Sequence, residues 1–260
     1  MIITSKDNDI IKQVSKLMSS ASYRREKESF VAEGARLCMD GVLSGAEVKA
    51  FLYTKNGMEK YSKEFEKIFS VSRKNCEISE QLFKRISDTN SPQGLLCVFK
   101  TLDKKSLSYT IDKKGRYAAL ENIQDPSNMG TILRTAEAFG VDGVIVSGDC
   151  CDIYSPKVVR GSMGAVFRVN VIAAADFTGY IEKLTKSGIN TYASTPRNAE
   201  DIKNVDFGGG GVMLIGNEGN GLKEDTINAC SKRVRINMKG RAESLNAAAA
   251  AAVLLYALAD

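Results

Sequence analysis

The sequence predicts an α/β protein in which a small basic α/β domain precedes a domain built around a parallel sheet. After Arg116, short apolar runs alternate with helix-like segments, a pattern typical of a parallel sheet covered by helices on both faces. Charge separates the two parts: residues 1–115 contain 21 Lys and Arg against 15 Asp and Glu, whereas residues 116–260 contain 15 against 16. We therefore expect a first domain over residues 1–100, a linker over residues 101–115 and a second domain over residues 116–260.

The first domain is predicted from short local patterns. Residues 8–36 are expected to be helical because apolar side chains recur at helical spacing from Ile11 to Met18. An apolar run lies at Val48–Tyr53, and another at 95–99 predicts a buried strand before the polar, lysine-rich linker. A basic domain beside a nearly neutral one is typical of a polyanion-binding module joined to a catalytic module, but a lysine-rich solvated surface explains the charge equally well.

The second domain shows a clearer rhythm. Strands are predicted at 118–123, 143–147, 190–194, 212–215 and 234–238. Helices are predicted at 130–139, 177–187, 224–230 and 242–258. Ligand sites of parallel α/β sheets lie beyond the carboxyl ends of the strands. The loops that begin near Asn122, Gly216 and Met238 are therefore the candidates for chemistry.

Composition excludes several kinds of site. The chain has no histidine, so a Ser-His or Cys-His catalytic pair is excluded, and we expect no metal site because no C-x-x-C pair is present either. Six cysteines in a chain without a secretion signal do not predict a disulfide framework. No run of 18 apolar residues occurs, and the alanine-rich tail is too weakly hydrophobic to span a bilayer. We expect a cytoplasmic protein.

The first candidate loop runs from Glu121 to Ala136. Asp125-Pro126 predicts a turn, because proline fixes its own φ and biases the preceding residue away from helix. Asn128 is then expected to cap a helix whose second turn carries Arg134. An ordinary helix start with a surface arginine fits this segment equally well.

The second loop, residues 208–222, is rich in glycine and contains Glu218. A phosphate cradle is disfavoured because the carboxylate would repel a phosphate, and because the Gly-Lys-Ser/Thr ending of a P-loop is missing. A carboxylate between glycines after a buried strand favours a ligand with hydroxyl or cationic groups. A glycine-rich turn with a solvated glutamate is the alternative.

The third loop, residues 235–246, precedes six consecutive alanines. The alanines are expected to form a close helix packing surface in the core or in a dimer. That explanation does not cover Ser244 and Asn246, two polar residues expected in the first turn of the helix beside the site.

Together, the three loops resemble the motifs of the SpoU (TrmH-like) family of RNA 2′-O-ribose methyltransferases in the SPOUT superfamily. The matching residues are Asp125-Pro126-x-Asn128-x-Gly130-x-Ile132-x-Arg134-Thr135-Ala136, then Gly216-x-Glu218-Gly219-x-Gly221-Leu222, then Ile236-x-Met238-x-Gly240 and Ser244-Leu245-Asn246. The opening residues, with Phe30-x-x-Glu33-Gly34, are similar to the substrate-binding domain that precedes the catalytic domain in many members. Asn237 departs from the proline common in the family, and Ala247-Ala248 from Val-Ser.

The resemblance implies a deep trefoil knot in the second domain, S-adenosylmethionine as cofactor and a homodimer. It also implies an RNA-binding first domain resembling a ribosomal-protein fold. The cofactor-binding candidates are Thr195, Gly216, Ile236, Met238 and Leu245. The catalytic candidates are Asn128, Arg134, Glu218, Ser244 and Asn246. Because a guanidinium normally stays protonated, we expect Arg134 to orient the phosphate and to lower the pKa of the ribose hydroxyl, rather than to act as the base.

The expected reaction is methylation of a ribose 2′-hydroxyl in structured RNA, with ribosomal RNA of the 23S type favoured over transfer RNA. The candidates for phosphate contact are Lys12, Lys16, Arg24, Arg25, Lys157 and Arg160, the last two expected near the active site. Two alternatives stay open: a non-catalytic RNA-binding protein of the same fold, and a knotted enzyme that methylates a base.

Overall fold

The computed structural model describes residues 2–102, 104–105 and 109–260. It divides into two compact units. The first unit contains Met1–Leu102 and Asp152–Phe167, and the second contains Asp103–Cys151 and Arg168–Asp260. No helix within these described ranges is long and apolar enough to cross a membrane.

The elements are numbered in chain order. The helices are α1 (Asp9–Ser19), α2 (Ala21–Lys27), α3 (Ala35–Leu43), α4 (Lys55–Lys60), α5 (Ser62–Val71), α6 (Glu80–Ile86), α7 (Pro126–Ala138), α8 (Pro156–Gly161), α9 (Phe177–Lys186), α10 (Glu224–Ala229) and α11 (Ala247–Ala259). The strands are β1 (Ser29–Glu33), β2 (Val48–Tyr53), β3 (Asn75–Glu77), β4 (Leu95–Lys100), β5 (Lys104–Lys105), β6 (Arg116–Leu120), β7 (Gly143–Ser147), β8 (Val171–Ala174), β9 (Thr191–Ser194), β10 (Glu200–Asp201), β11 (Gly211–Ile215) and β12 (Lys232–Arg235). Two 3-10 turns lie at Ala165–Phe167 and Ile202–Asn204.

The first unit is built on a four-stranded sheet of order β1-β4-β2-β3. β4 is antiparallel to both of its neighbours, and β3 runs parallel to β2. The buried sides of α1 and α6 pack against apolar residues of β1, β2 and β4, and together they form one hydrophobic core. The unit is a small α/β fold, in agreement with the sequence.

The single helix predicted over residues 8–36 is wrong. α1 ends where Ser20 adopts extended backbone, and the Ser20 hydroxyl then accepts a hydrogen bond from the Tyr23 amide to begin α2. α2 ends at Glu28, whose φ of 43° is left-handed. β1 follows, with its first four residues buried, so the apolar residues after position 28 belong to a strand covered on both faces.

A segment from the middle of the chain completes the core of the first unit. The Phe30 ring stacks on Tyr154 with centroids 4.5 Å apart, and the Phe99 ring meets the edge of Phe167 at 4.9 Å. Arg24 Nε donates to Asp152 Oδ2 at 2.7 Å, and its Nη1 donates to the Leu17 carbonyl. Residues 152–167 therefore lie in the first unit, although the predicted second domain was continuous from 116 to 260.

The second unit is built on an eight-stranded sheet of order β10-β12-β9-β11-β6-β7-β8-β5. Its strand pairs are all parallel, as the alternation of apolar runs and helices predicts. From β6 the chain first builds the sheet towards β8 and later adds β9 and β11 on the other side. The order thus reverses between β6 and β11, and their carboxyl ends meet where Leu120 pairs with Ile215.

Three predicted boundaries in this unit need correction. The predicted linker contributes β5, which pairs with β8 in a register that places Lys104 beside Ile172. α7 is capped by the Asp125 carboxylate and begins at Pro126, so Asn128 is a buried helical residue and not the cap. α11 begins at Ala247 with Asn246 as its cap, several residues after the predicted start at 242.

Replacing Arg24 tests the buried ion pair of the first unit. Arg24→Ala leaves Asp152 and two main-chain carbonyls without their partner, in a place where the two charged side chains are 5% and 15% exposed. We expect a loss of about 3–5 kcal/mol in the free energy of unfolding, measured by urea denaturation followed by tyrosine fluorescence. The exposed neighbour Arg25→Ala is the control and should change stability by less than about 0.5 kcal/mol. Equal midpoints for the two variants would contradict this role of Arg24.

Candidate active site

A cavity of about 330 Å³ opens at the carboxyl ends of β9, β11 and β12. Its lining contains all five residues predicted to hold the cofactor: Thr195, Gly216, Ile236, Met238 and Leu245. The segment after β12, the start of α11 and the loop after β11 all contribute residues to the lining. The volume lies within the range of roughly 300–1,000 Å³ found for small-molecule sites.

The walls of the cavity combine apolar side chains with carboxylates and exposed backbone. The apolar part of the lining includes Val234, Leu254 and the small residues Ala247 and Ala250. Glu218 and Glu243 supply carboxylates to the same lining. This combination suits a ligand that has both an apolar part and a positively charged part.

The loop after β11 is held in one shape by its own hydrogen bonds. The Asn217 and Gly221 main chains exchange two hydrogen bonds of 3.0 Å, and Gly221 has a left-handed φ of 71°. The Asn217 side chain accepts from the Gly219 and Asn220 amides, and its Nδ2 donates to the Asn122 carbonyl at 2.9 Å. A Cβ atom on Gly216 would collide with the backbone of Gly221 and Leu222. Position 216 therefore requires glycine for the turn itself.

A chain of hydrogen bonds connects the three sequence motifs. Asn128 Nδ2 donates to Glu218 Oε1 at 3.0 Å, and Asn128 Oδ1 accepts from Asn246 Nδ2 at 3.0 Å. Asn246 Oδ1 in turn accepts from the Ala248 and Ala249 amides at the start of α11. Three of the five predicted catalytic residues are thus brought into one network.

Glu218 is fixed as an ionised acceptor. Partial burial opposes its charge, but the hydrogen bonds from the Asn128 side chain and from the Gln124 and Asp125 amides outweigh that effect and lower the pKa of the carboxyl below its ordinary value. At neutral pH the side chain therefore carries a full negative charge.

The other two predicted catalytic residues stand apart from this network. Ser244 is exposed and lines the cavity. Arg134 is exposed on α7 and has no hydrogen-bond or ion-pair partner among the described residues. Its guanidinium is thus available to a ligand in solution, and its predicted role stays a prediction.

The sequence patterns did not single out Glu121, a buried residue that fixes the end of β6 by hydrogen bonds. Its carboxylate is 1% exposed and accepts from the Lys223 amide at 2.8 Å and from Thr226 Oγ1 at 2.6 Å. It thereby ties the end of β6 to α10. Asn122, the next residue, has a left-handed φ of 55° that turns the chain into the first loop. A glutamate directly after a buried apolar strand was the available signal.

The predicted phosphate contacts all belong to the first unit. Lys12, Lys16, Arg25 and Lys157 are exposed, as phosphate contacts must be. Arg24 is buried and occupied by Asp152 and main-chain carbonyls, so its prediction as a phosphate contact is wrong. Lys157 and Arg160 belong to the first unit, whereas the cavity belongs to the second, so their expected position near the active site stays a prediction. No cluster of metal-ligating side chains occurs within the described ranges.

Gly216→Ala tests the collision between position 216 and the loop that follows it. The added methyl group must displace the Gly221–Leu222 backbone and thereby reshape the cavity wall. We expect the affinity for S-adenosylmethionine, the ligand that the resemblance implies, to fall at least about tenfold in calorimetric titration. In Gly148→Ala the added Cβ would meet no atom within 4 Å, so this variant should bind like the wild type. Wild-type affinity in Gly216→Ala would refute the steric argument.

Two family models match the chain. Residues 115–256 match the SpoU rRNA Methylase family, and residues 8–97 match the MRM3-like substrate binding domain. An uncharacterized tRNA/rRNA methyltransferase of Synechocystis is 29% identical over 255 residues, which are 98% of this chain and 92% of the relative. The 23S rRNA (guanosine(2553)-2′-O)-methyltransferase RlmP of Bacillus subtilis is 26% identical over 259 residues, 98% of each chain.

The fold also matches a solved structure over nearly its whole length. A rRNA methyltransferase of Sinorhizobium meliloti, crystallised with AdoMet bound, superposes with a TM-score of 0.86 at 28% identity, covering 99% of this chain and 97% of that one. The resemblance inferred from the three motifs is therefore confirmed. The chain belongs to the SpoU rRNA methylase family.

Proposed function

We propose that this protein transfers a methyl group from S-adenosylmethionine to a ribose 2′-hydroxyl of ribosomal RNA, with RNA of the 23S type as the favoured substrate. The observation that carries the proposal is the network that joins Glu218, Asn128 and Asn246 beside the cavity. The relative RlmP, whose name describes guanosine 2′-O-methylation of 23S rRNA, matches 98% of this chain and supports both the reaction and the RNA class.

The cavity fits the cofactor chemically. Ile236, Met238 and Leu245 offer apolar contact to an adenine ring, and the carboxylates of Glu218 and Glu243 lie where a positively charged ligand gains from them. When bound, S-adenosylmethionine supplies an electrophilic methyl group on a cationic sulfur. The loop after β11 is held by its own hydrogen bonds, so we expect little ordering entropy to be lost on binding.

The protein's own residues must orient the ribose and promote loss of the hydroxyl proton. The exposed guanidinium of Arg134 holds the neighbouring phosphate, and its positive charge lowers the pKa of the 2′-hydroxyl. Ser244 and the Asn128–Asn246 pair fix the ribose in line with the methyl group. The oxygen–carbon bond forms as the sulfur–carbon bond breaks, and the proton leaves to water.

The chain also folds into the trefoil knot and the homodimer that the resemblance implies. Support for the knot comes from the segment after β12 and the loop after β11, which line the same cavity, and from α11, which packs on α7 and β11. Support for the dimer comes from α11, where Val253 and Tyr256 are 41% and 59% exposed. The predicted cytoplasmic location stays a prediction.

Arg134 carries the catalytic part of the proposal. We expect Arg134→Ala and Arg134→Lys to lower kcat at least about 10²-fold, because lysine keeps the charge and loses the two-point contact to phosphate. S-adenosylmethionine affinity should be unchanged, since Arg134 does not line the cavity. Lys183→Ala, which removes another exposed cation of the second unit, is the control. Wild-type turnover in Arg134→Ala would exclude the assigned role.

The substrate is tested by mapping ribose methylation in total RNA from cells with and without the gene. We expect one 2′-O-methyl group to disappear from large-subunit ribosomal RNA. Restoration by the wild-type gene, and not by the Arg134→Ala gene, ties the modification to this protein. A missing site in transfer RNA would overturn the RNA class, and a missing base methyl group would overturn the ribose reaction. Absence of S-adenosylmethionine binding would favour a non-catalytic RNA-binding protein.

A further inference from the structure

A second cavity, of about 230 Å³, lies within the first unit. Its lining comes from the end of β1, the first turns of α3, the loop after α6, and residues at and just beyond the end of α8. The volume is below the range of roughly 300–1,000 Å³ typical of complete small-molecule ligands, so it suits one ring system with polar edges.

One polar group of this cavity is a fixed hydrogen-bond acceptor. Glu33 Oε1 accepts from Ser87 Oγ at 2.6 Å and from Thr89 Oγ1 at 2.7 Å, and its Oε2 accepts from the Asp88 amide at 3.2 Å. A carboxylate oxygen has two lone pairs, so Oε2 keeps room for one more donor. Three partners within the same unit therefore fix the carboxylate of a residue that lines the cavity.

Two donors face the same space. Gln93 Oε1 accepts from the Ala35 amide at 2.8 Å, which fixes the amide plane and leaves Nε2 without a partner among the described residues. The Arg36 guanidinium is exposed at the lining and is likewise unpaired within the described part of the chain. An acceptor and two donors therefore converge.

The remaining wall is apolar and conformationally unusual. Leu37 is half-buried, whereas Met163 is 46% exposed and has a left-handed φ of 50°. A non-glycine residue at such a φ is strained. The flexible, polarizable thioether of Met163 is exposed at the cavity. At the rim, the Arg160 guanidinium pairs with Asp88 at 2.9 Å and still has donors to spare for a phosphate.

We propose that this cavity binds one nucleotide of the RNA substrate, turned out of its stack, whose base carries an amino group. The inference rests on the proposed function for the presence of RNA. Glu33 accepts from the amino group, Gln93 donates to a ring nitrogen or carbonyl, and Leu37 and Met163 pack on the face of the base. Arg36 and Arg160 meet the flanking phosphates. Uracil has no amino group, and its N3–H donor lies between two carbonyl oxygens that the carboxylate repels, so we expect it to bind more weakly.

RNA is favoured over a peptide because the cavity belongs to the basic part of the chain. Residues 1–115 carry six more positive than negative side chains. The cavity lining itself is balanced, with Glu33 and Asp40 against Arg36 and Arg160, and the two arginines supply the phosphate-binding groups. Unstacked bases of loops and bulges are the usual means by which proteins read RNA sequence.

Ser91→Trp fills the cavity from its exposed edge and leaves the hydrogen bonds of Glu33 and Gln93 in place. With unmodified large-subunit ribosomal RNA transcribed in vitro as the probe, we expect RNA affinity to fall about tenfold or more and KM for RNA to rise by the same factor. The affinity for S-adenosylmethionine should be unchanged. Ser70→Trp, on the exposed side of α5, controls for an added surface indole.

Arg36→Gln tests the rim in the same way, with Arg85→Gln as a control that removes an equal charge from α6. Arg36→Gln should weaken RNA binding more than Arg85→Gln does. Equal losses in the two variants, or an RNA affinity of Ser91→Trp equal to that of Ser70→Trp while methylation is intact, would overturn the cavity proposal alone. A peptide or another ligand would then be the better occupant.

A readout independent of catalysis separates this inference from the proposed function. In the full chain labelled with ¹³C at its methionine methyl groups, GMP, AMP and CMP should shift the Met163 signal more than UMP, and Ser91→Trp should remove the shift. This result would stand even if no RNA were methylated. Absence of a Met163 shift with all four nucleotides would overturn the inference even if methylation were confirmed.

Discussion

The site depends on one directional chain of hydrogen bonds. An ionised carboxylate only accepts, so Glu218 forces the Nδ2 side of the Asn128 amide towards itself. Asn128 Oδ1 then faces away and can accept only from Asn246 Nδ2, which leaves Asn246 Oδ1 for the free amides at the start of α11. Both amides are thereby held in a single orientation. The charge on Glu218 at one end and the N-terminus of α11 at the other determine the direction in which every hydrogen bond of the chain is donated.

The sheet explains why residues so distant in sequence can meet in this way. β6 and β11 are neighbours at the point where strand order reverses, so the start of α7, which carries Asn128, and the loop that carries Glu218 both follow strand ends at the same edge. Buried Glu121 fixes the end of β6 to α10, and glycine at position 216 lets the loop after β11 fold back on itself. Each of these two loops is therefore constrained by contacts outside the amide network, which lowers the entropic cost of aligning it.

How well the sequence predicted each feature depended on how local its cause is. The five predicted cofactor residues all line one cavity, because the motif order and the parallel topology together specify which strand ends meet. The predicted start of α7 was wrong because Asp125 was assigned to a turn and Asn128 to the cap, although Asp125 also has a side chain suited to capping. Asn128 is instead committed to Glu218, a partner 90 positions away that no local pattern reveals.

Long-range burial also explains the other errors. The basic residues around Arg24 in the sequence predict an exposed position for it. Its partner Asp152, which holds it in a buried position, is 128 positions away. The single helix over 8–36 failed for a related reason: Phe30 is apolar in any window, and its place in β1 is decided by pairing with Phe99. The apolar periodicity near the chain start correctly predicts α1. It does not predict β1, because β1 pairs with β4, which is distant in sequence.

The aromatic cluster of Phe30, Phe99, Tyr154 and Phe167 has a consequence for how the chain folds. Two of its rings come from residues 152–167, so the core of the first unit is incomplete until two-thirds of the chain has been made. The chain crosses between the two units after Leu102, after Cys151 and after Phe167. A fragment that ends at residue 100 would expose Phe30 and Phe99 and leave Arg24 without Asp152, with the cost of a buried unpaired charge. Residues 1–100 alone thus lack part of the core of the first unit, so its contribution to RNA binding is best dissected by point substitutions in the full chain.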